Sequence, residues 1–193
     1  MNFQVKLDNA LGFRDDEMKK LVEALGLWSK IWSSQEFKDF VLNFRHSYIV
    51  KVGNWPFRKL KTISGDGFVW NNGLNNEDLY KKLLEGSESL DPEADGEADI
   101  SVSIDRKNVR GVIGYTYPNS KVQTIYSWFF QASTPAEIAG NLSHEYCHKI
   151  GFDHPFNNGP DRVFTVPYAI GYETARLAKL LALKEAQDGV HDS

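Results

Sequence analysis

Three of the five histidines in this 193-residue chain fall within eleven residues, which read HEYCHKIGFDH from His144 to His154. Residues four apart on a helix lie on the same face, one turn apart. His144 and His148 can therefore direct ring nitrogens at one metal ion, and histidine nitrogen binds zinc at about 2 Å. Gly151 falls where the helix must stop, since glycine adopts a left-handed ending at little cost. The chain can then turn back and bring His154 to the same ion.

The types of these residues indicate which kind of metal site they form. Three neutral imidazoles leave a fourth position for water, which is the arrangement of a catalytic zinc site and not of a closed structural one. Glu145 is expected to face the open side of the ion. Thiolates also bind zinc, but the position of Cys147 turns it away from the shared face, so we interpret it as buried and inert. The sequence predicts one catalytic Zn²⁺ ion held by His144, His148 and His154.

A capped helix is expected to carry the motif. Thr134 can cap it, Pro135 suits its first position, and the helix should run to about Ile150 before Gly151 ends it. A loop over residues 152–166 is expected to follow.

The other elements are helices and strands. Apolar residues at three- and four-residue spacing predict amphipathic helices whose apolar faces build a core. Runs of β-branched and aromatic residues predict strands. The predicted helices cover Asp15–Trp32, Gln35–Phe44, Glu77–Leu84 and a last helix that begins within Ala169–Tyr172 and extends to Gln187; the predicted strands cover Ser47–Val52, Ile100–Ile104, Gly111–Tyr117 and Val122–Phe130. These elements indicate an α+β fold, with Asn54–Asn76 a loop that contains short extended pieces.

The acidic segment 86–99 invites comparison with a calcium-binding loop. Asp91 and Asp95 fall near positions 1 and 5 of an EF-hand loop, but Val102 stands where a bidentate glutamate is needed. We interpret the segment as a solvated loop.

Composition limits the class of protein. Hydrophobic residues make up 41% of the chain, and the net charge is −4 with both signs mixed. A nucleic-acid binder usually shows a basic face, and the mixed charges of this chain do not suggest one. No apolar run approaches the roughly 20 residues of a membrane span.

The N-terminal segment has no signal-peptide pattern, which leaves the cytoplasm or export by a leaderless route. We expect a monomer without nucleic-acid or membrane partners: a single domain over 1–193, with helices and loops in 1–97 and the zinc-binding core and C-terminal helix in 98–193.

The motif resembles the consensus HExxHxxGxxH of the metzincin zinc peptidases. Upstream, Ala98–Asp105 resembles the third strand of a matrixin catalytic domain, and Gly111–Pro118 resembles the antiparallel edge strand that lines the cleft. Val122–Phe130 resembles the last strand before the active-site helix. The resemblance implies a zincin-like fold, in which a small twisted mixed sheet packs on helices that include the motif helix, followed by a C-terminal helix.

One segment departs from the metzincin pattern. The family carries a methionine in a tight turn beneath the metal, and the sequence VPYAIGYE (Val166–Glu173) stands at that place. Aligned with the family's Met-x-Tyr, Ile170 replaces the methionine and Tyr172 matches the tyrosine. The resemblance gives Tyr172 a catalytic role, binding the oxyanion or acting as a fifth ligand, and simple packing is the equal alternative. For Tyr168 we favour packing.

The resemblance also implies a reaction and a substrate. A metalloendopeptidase hydrolyses a peptide bond with a zinc-bound water, and Glu145 acts as the general base that passes the proton to the leaving amine. The substrate is a protein or peptide, and the edge strand is expected to pair with its backbone by strand addition. Gly114 in this strand permits close approach of another backbone, or marks a bulge. The expected substrate-binding residues are Val112, Ile113, Gly114, Tyr115 and Thr116.

Two other functions stay open from the sequence. One is a zinc-binding protein of metzincin fold that is catalytically silent and acts as an interaction or effector module. The other is a zinc hydrolase that acts on a non-peptide amide. Glu145 speaks against the silent module, since pure metal binding needs no carboxylate at that position.

Overall fold

The computed structural model describes residues 2–53, 58–107, 109, 111–117 and 119–191, the last three by their backbone alone. The described part contains six α-helices and six β-strands. In chain order they are β1 (Gln4–Leu11), α1 (Asp15–Trp32), α2 (Gln35–Leu42), β2 (Arg45–Val52), β3 (Lys59–Asp66), α3 (Asn76–Leu84), β4 (Glu97–Asp105), β5 (Gly114–Thr116), β6 (Val122–Tyr126), α4 (Ser127–Ala132), α5 (Pro135–Lys149) and α6 (Val166–His191), with a short 3₁₀ helix at Arg162–Phe164.

A mixed four-stranded sheet has the order β1-β4-β6-β5. β1 and β6 run parallel to β4, and β5 runs antiparallel to β6. The expected α+β class is confirmed. β1, which lies in the N-terminal segment and joins this sheet, is not among the strands predicted from the sequence. The strand is hard to recognise from the sequence, because the pairing register shifts between Leu7 and Asn9 and interrupts the alternation of buried and exposed side chains.

A separate two-stranded sheet is formed by β2 and β3. Within Asn54–Asn76, where a loop with short extended pieces was expected, Lys59–Asp66 forms a full strand of eight residues, and residues 54–57 lie outside the described residues. Most side chains of β3 are exposed. Without a buried face, the strand has no apolar alternation from which it can be recognised.

The strand expected over Val122–Phe130 ends at Tyr126 and gives way to α4. Aromatic residues favour strands, but tertiary contacts decide here. The Lys20 ammonium donates to the Phe130 carbonyl at 2.7 Å, and the Phe13 and Phe130 rings pack at 5.4 Å. These contacts hold the end of the helical turn against α1.

The core is built on an aromatic cluster between α1 and α5. Trp28, Trp32 and Phe3 are almost fully buried around Tyr146 of α5. The ring of Tyr146 lies 5.4 Å from that of Trp28 and 5.8 Å from that of Trp32. The Trp32 indole N–H also donates to the Thr174 hydroxyl of α6 at 2.9 Å. The helix that carries the motif is thus held from one side by α1 and from another by α6.

Most helix ends agree with expectation within a few residues. α1 spans the predicted Asp15–Trp32, α2 ends at Leu42, and Asn75 caps α3 by accepting from Asp78. The acidic segment folds into a bridged loop before β4, with Lys121 paired to Asp91 at 2.7 Å. Of the described helices, none is long and apolar enough to cross a membrane.

Candidate metal centre

α5 begins and ends where the sequence predicts. The Thr134 hydroxyl accepts from the Glu137 backbone, and the Glu137 carboxylate accepts from the Thr134 N–H at 2.9 Å, which forms a capping box. Pro135 occupies the first helical position. The helix ends at Lys149, and Gly151 has a φ of 93°, a left-handed conformation that glycine adopts without strain.

The three motif histidines converge in space. One ligand atom from each of His144, His148 and His154 lies within 4.8 Å of the other two. The ring centroids are 5.2 Å apart for His144 and His148, 5.3 Å for His144 and His154, and 4.9 Å for His148 and His154. In the described part of the chain this is the one such cluster, so the acidic segment forms none. The three imidazoles can hold a metal ion.

Burial keeps these histidines in the form that binds metal. It lowers the pKa of all three side chains, most strongly that of His144, which the other two histidines lower further. The imidazoles are therefore neutral near pH 7, and a neutral ring has a free lone pair for a cation.

Backbone carbonyls orient the rings. Nδ1 of His148 donates to the Phe152 carbonyl at 2.9 Å, and Nδ1 of His154 donates to the Pro155 carbonyl at 3.3 Å. With Nδ1 protonated, Nε2 is left to bind the ion, which is how outer hydrogen bonds fix the tautomer of metal ligands.

A loop from another part of the chain braces the segment that carries His154. The Asn72 amide donates to the Gly151 carbonyl at 2.9 Å, and the Val69 N–H donates to the Phe164 carbonyl at 2.9 Å. Asn72 has a left-handed φ of 55°, as does Trp70 at 57°. Sequence reasoning missed this brace. The turn residues Asn71-Asn72-Gly73 marked a loop, but nothing local told which segment it would contact.

Glu145 lies on α5 directly after His144 and is only 5% exposed. Burial raises the pKa of its carboxyl to about 8, and the Lys149 ammonium one turn along the helix opposes that rise. A nearby cation favours the ionised form of a carboxyl group. Glu145 is therefore a buried carboxyl whose protonation responds to a charge bound beside it.

Tyr168 is the tyrosine that contacts the histidines. Its ring centroid lies 4.6 Å from that of His144 and 4.8 Å from that of His154, and the Arg162 guanidinium lies 4.6 Å from the ring. Tyr172 is 59% exposed, and its ring centroid is 5.8 Å from that of Tyr168.

Tyr168 rather than Tyr172 contacts the histidines because of where α6 begins. The helix starts at Val166 and not within the predicted 169–172. The tight turn expected over Val166–Glu173 is helical instead. Pro167 fits there because the first turn of a helix needs no donor from it. Tyr168 thereby lies in the first turn of α6, and Ile170 is fully buried.

α5 and α6 cross at two glycines next to His144. A Cβ atom added at Gly171 would lie 2.8 Å from the Gly140 carbonyl oxygen and 3.0 Å from Cβ of His144. One added at Gly140 would lie 2.6 Å from the Gly171 carbonyl oxygen. Sequence reasoning missed this contact, although glycine inside a helix is unfavourable and signals a packing reason.

The expected substrate-binding strand is shorter than predicted. β5 covers only Gly114–Thr116, while Val112 and Ile113 precede it and are 42% and 39% exposed. The Ile113 carbonyl still accepts from Tyr126 at 3.0 Å. Gly114 lies against Asn141 of α5, where an added Cβ would be 2.8 Å from the amide oxygen. The close approach at Gly114 is thus to the motif helix, and β5 has no second neighbour among the described strands.

Cys147 is fully buried outside the histidine cluster, as expected, and burial raises the pKa of its thiol. The site therefore offers three neutral imidazoles, a buried carboxyl group, and a tyrosine covered by a guanidinium. Such groups can bind a metal ion and move a proton beside it. Comparison of the chain with protein-family models, curated proteins and solved structures finds no match.

Proposed function

We propose that the chain is a zinc-dependent endopeptidase that hydrolyses extended polypeptides. The observation that carries this proposal is the convergence of three neutral histidines, with the buried Glu145 directly after His144 on the same helix. Imidazole ligands suit zinc, whereas magnesium and calcium take oxygen ligands. The cluster contains no carboxylate, which favours zinc among these metals.

The chemistry divides between the ion and the side chains around it. Zn²⁺, when bound by His144, His148 and His154, supplies a water of pKa about 7 and polarises the scissile carbonyl. Glu145 would act as the general base, taking a proton from the attacking water and passing it to the leaving nitrogen. The Tyr168 hydroxyl donates a hydrogen bond to the oxyanion, and Arg162 adds positive charge on the same side.

The arrangement of the edge strand supports a polypeptide substrate and the metzincin interpretation. β5 is antiparallel to β6 at the edge of the sheet and lies against α5 through Gly114. An extended segment can add to the free side of β5 as a further strand. In this proposal the backbone of Val112–Thr116 binds the substrate and holds it alongside Glu145.

The first test is metal content. Protein purified without chelator should contain close to one zinc ion per chain by mass spectrometry, and His154→Ala should lose most of it. Glu145→Gln should keep the zinc, because Glu145 is not a ligand. Absence of zinc in the wild type, or full retention in His154→Ala, would contradict the metal centre.

The second test is cleavage of a peptide library followed by mass spectrometry. Glu145→Gln should slow cleavage by about 10²–10⁴-fold, the usual contribution of a general base. Zinc binding without cleavage of any peptide would contradict the peptidase and leave the silent zinc-binding module and the hydrolase of a non-peptide amide as the alternatives.

A further inference from the structure

The hairpin of β2 and β3 exposes apolar side chains that the described part of the fold does not cover. Leu60 is 71% exposed, Ile49 58% and Val52 39%. Among the described strands, each of the two pairs only with the other, so each has an open edge. An open edge is a ready template for another strand.

The hairpin also carries unpaired positive charge. Lys51, Arg58, Lys59 and Lys61 are exposed, and none of them makes an ion pair with the described residues. The one acidic residue of β3, Asp66, pairs with Arg45 at 3.0 Å. The whole chain carries a net charge of −4. The hairpin is therefore a cationic region on an acidic protein.

Charged and uncharged side chains alternate along β3. Only a partner in extended conformation has the same alternation of side chains and can pair with them in register. Side chains of a strand point alternately to opposite faces. Lys59 and Lys61 therefore lie on one face of the hairpin, and Leu60 and Thr62 lie on the other. A strand added along β3 meets ammonium groups on one face and uncharged side chains on the other. Its best complement has acidic residues at every second position and apolar or small residues between them.

The base of the hairpin contacts the 3₁₀ helix Arg162–Phe164, which in turn contacts Tyr168 next to the histidines. The Phe164 ring is 5.8 Å from that of Tyr48 and 6.4 Å from that of His46. Phe164 belongs to the same 3₁₀ helix as Arg162, which covers the Tyr168 ring against the histidines. A polypeptide held by the hairpin is thereby kept near the site, with a further cation between the two.

We propose that the open edge of β3, from Lys59 to Ile63, binds an acidic, extended segment of a partner polypeptide by strand addition. The segment carries Asp or Glu at alternate positions. The role of this surface in capturing substrate for cleavage rests on the proposed function. The binding itself needs neither metal nor catalysis.

The binding test uses the Glu145→Gln protein, so that a bound peptide stays intact. The probe is a fluorescein-labelled peptide of alternating Glu with Thr or Val, and fluorescence anisotropy reports binding. We expect Lys59→Glu/Lys61→Glu to weaken binding at least about tenfold. The matched control, Lys19→Glu/Lys38→Glu, changes two exposed lysines on α1 and α2 that make no ion pair with the described residues, and should stay within about twofold. Equal loss in both variants would overturn the proposal.

Three further probes separate other origins of binding. A peptide with Lys in place of Glu should not bind; if it binds equally, charge is not recognised and the proposal fails. N-methylation of alternate peptide nitrogens on the pairing edge should abolish binding, because strand addition needs backbone donors. Unchanged binding would overturn strand addition. Binding to phosphatidylserine vesicles without binding to the acidic peptide would make the hairpin a membrane contact and also overturn the proposal.

Zinc content keeps this proposal separate from the proposed function. Lys59→Glu/Lys61→Glu should hold as much zinc as its parent, and its circular dichroism spectrum should match. Loss of peptide binding with zinc retained supports the docking surface alone. A wild type without zinc that still binds the acidic peptide would contradict the peptidase and leave the docking surface intact.

Discussion

The three histidines reach one point from three different local structures. His144 lies inside α5, His148 in its last turn, and His154 in the loop beyond Gly151. Each ring also meets a backbone group, with the partners Pro167, Phe152 and Pro155 respectively. The orientation of the rings is thus set mainly by main-chain carbonyls, and the Asp153 carboxylate lies further off, at 3.9 Å from Nδ1 of His148.

We expect Tyr168 and Tyr172 to contribute differently to kcat. Tyr168→Phe should lower kcat by about 10²-fold, the usual cost of removing one donor to an oxyanion, with little change in KM or zinc content. Tyr172→Phe should change kcat less than about twofold, because its side chain is mostly exposed. Steady-state cleavage of the best library peptide checks both. The opposite pattern would favour the alignment that places Tyr172 at the metal.

Burial of Glu88 should make the free energy of unfolding depend on pH. The side chain is 6% exposed, and burial raises the pKa of its carboxyl from 4.5 to about 7. The folded state thus binds the proton more tightly than the unfolded state, so this contribution to stability is complete below pH 4.5 and is lost as the pH rises through about 7. Glu88→Gln should be more stable than wild type at pH 8 by roughly 1–3 kcal/mol and similar to it at pH 4.

Glu137 is the matched control for urea unfolding at both pH values. The Lys179 ammonium and the Thr134 backbone lower the pKa of its carboxyl to about 2. Its contribution is present above pH 4.5 and is lost as the pH falls towards 2. Glu137→Gln should therefore be less stable than wild type at pH 8. Equal effects of the two substitutions would show that burial of Glu88 does not disfavour its charge.

At the scale of elements, the crossing of α5 and α6 decides where His144 lies. The two backbones touch at Gly140 and Gly171, and α6 also brings Tyr168 to the histidines. Interiors are close-packed, so a new methyl group at such a contact must displace one helix.

Gly171→Ala should therefore destabilise the fold by about 1–3 kcal/mol and weaken zinc binding. Gly26→Ala is the matched control, because a Cβ at Gly26 of α1 meets no atom within 4 Å. That substitution should stabilise the protein by up to about 1 kcal/mol, since alanine is the better helix former. Urea unfolding and a zinc competition titration measure both effects. Wild-type zinc affinity in Gly171→Ala would show that the crossing does not position His144.

At the scale of the whole molecule, the histidine cluster ties together parts of the chain that are distant in sequence. His144 and His148 come from α5, His154 from the following loop, and the brace on that loop from Val69 and Asn72. A ligand that binds only the folded state stabilises all of these contacts together.

Zinc should accordingly raise the melting temperature. At a free concentration about 100 times its Kd, zinc adds about 2.7 kcal/mol, and for a chain of this length that corresponds to about 5–10 °C. Calorimetry with zinc and with chelator checks the shift. His154→Ala should show little of it and Glu145→Gln all of it. An equal shift in His154→Ala would place the stabilising zinc elsewhere.

Local sequence determined much of the fold and very little of its assembly. The spans of α1 and α5 follow from their periodicity and caps, which act within a few residues. The sequence did not predict β1, the full length of β3 or α4, because these elements depend on tertiary contacts. β1 carries a register shift, β3 buries almost no side chains, and α4 is held by Lys20 of α1.

The histidine cluster could be predicted from the sequence because its spacing is local. A spacing of four on a helix and a glycine that ends it are enough to predict that His144, His148 and His154 come together. Which tyrosine joins them was decided only by tertiary structure, since it depends on where α6 begins and on how two glycines let α6 cross α5. The open, basic edge of β3 also emerges only in three dimensions, because a strand edge is free or covered according to what the rest of the fold places beside it.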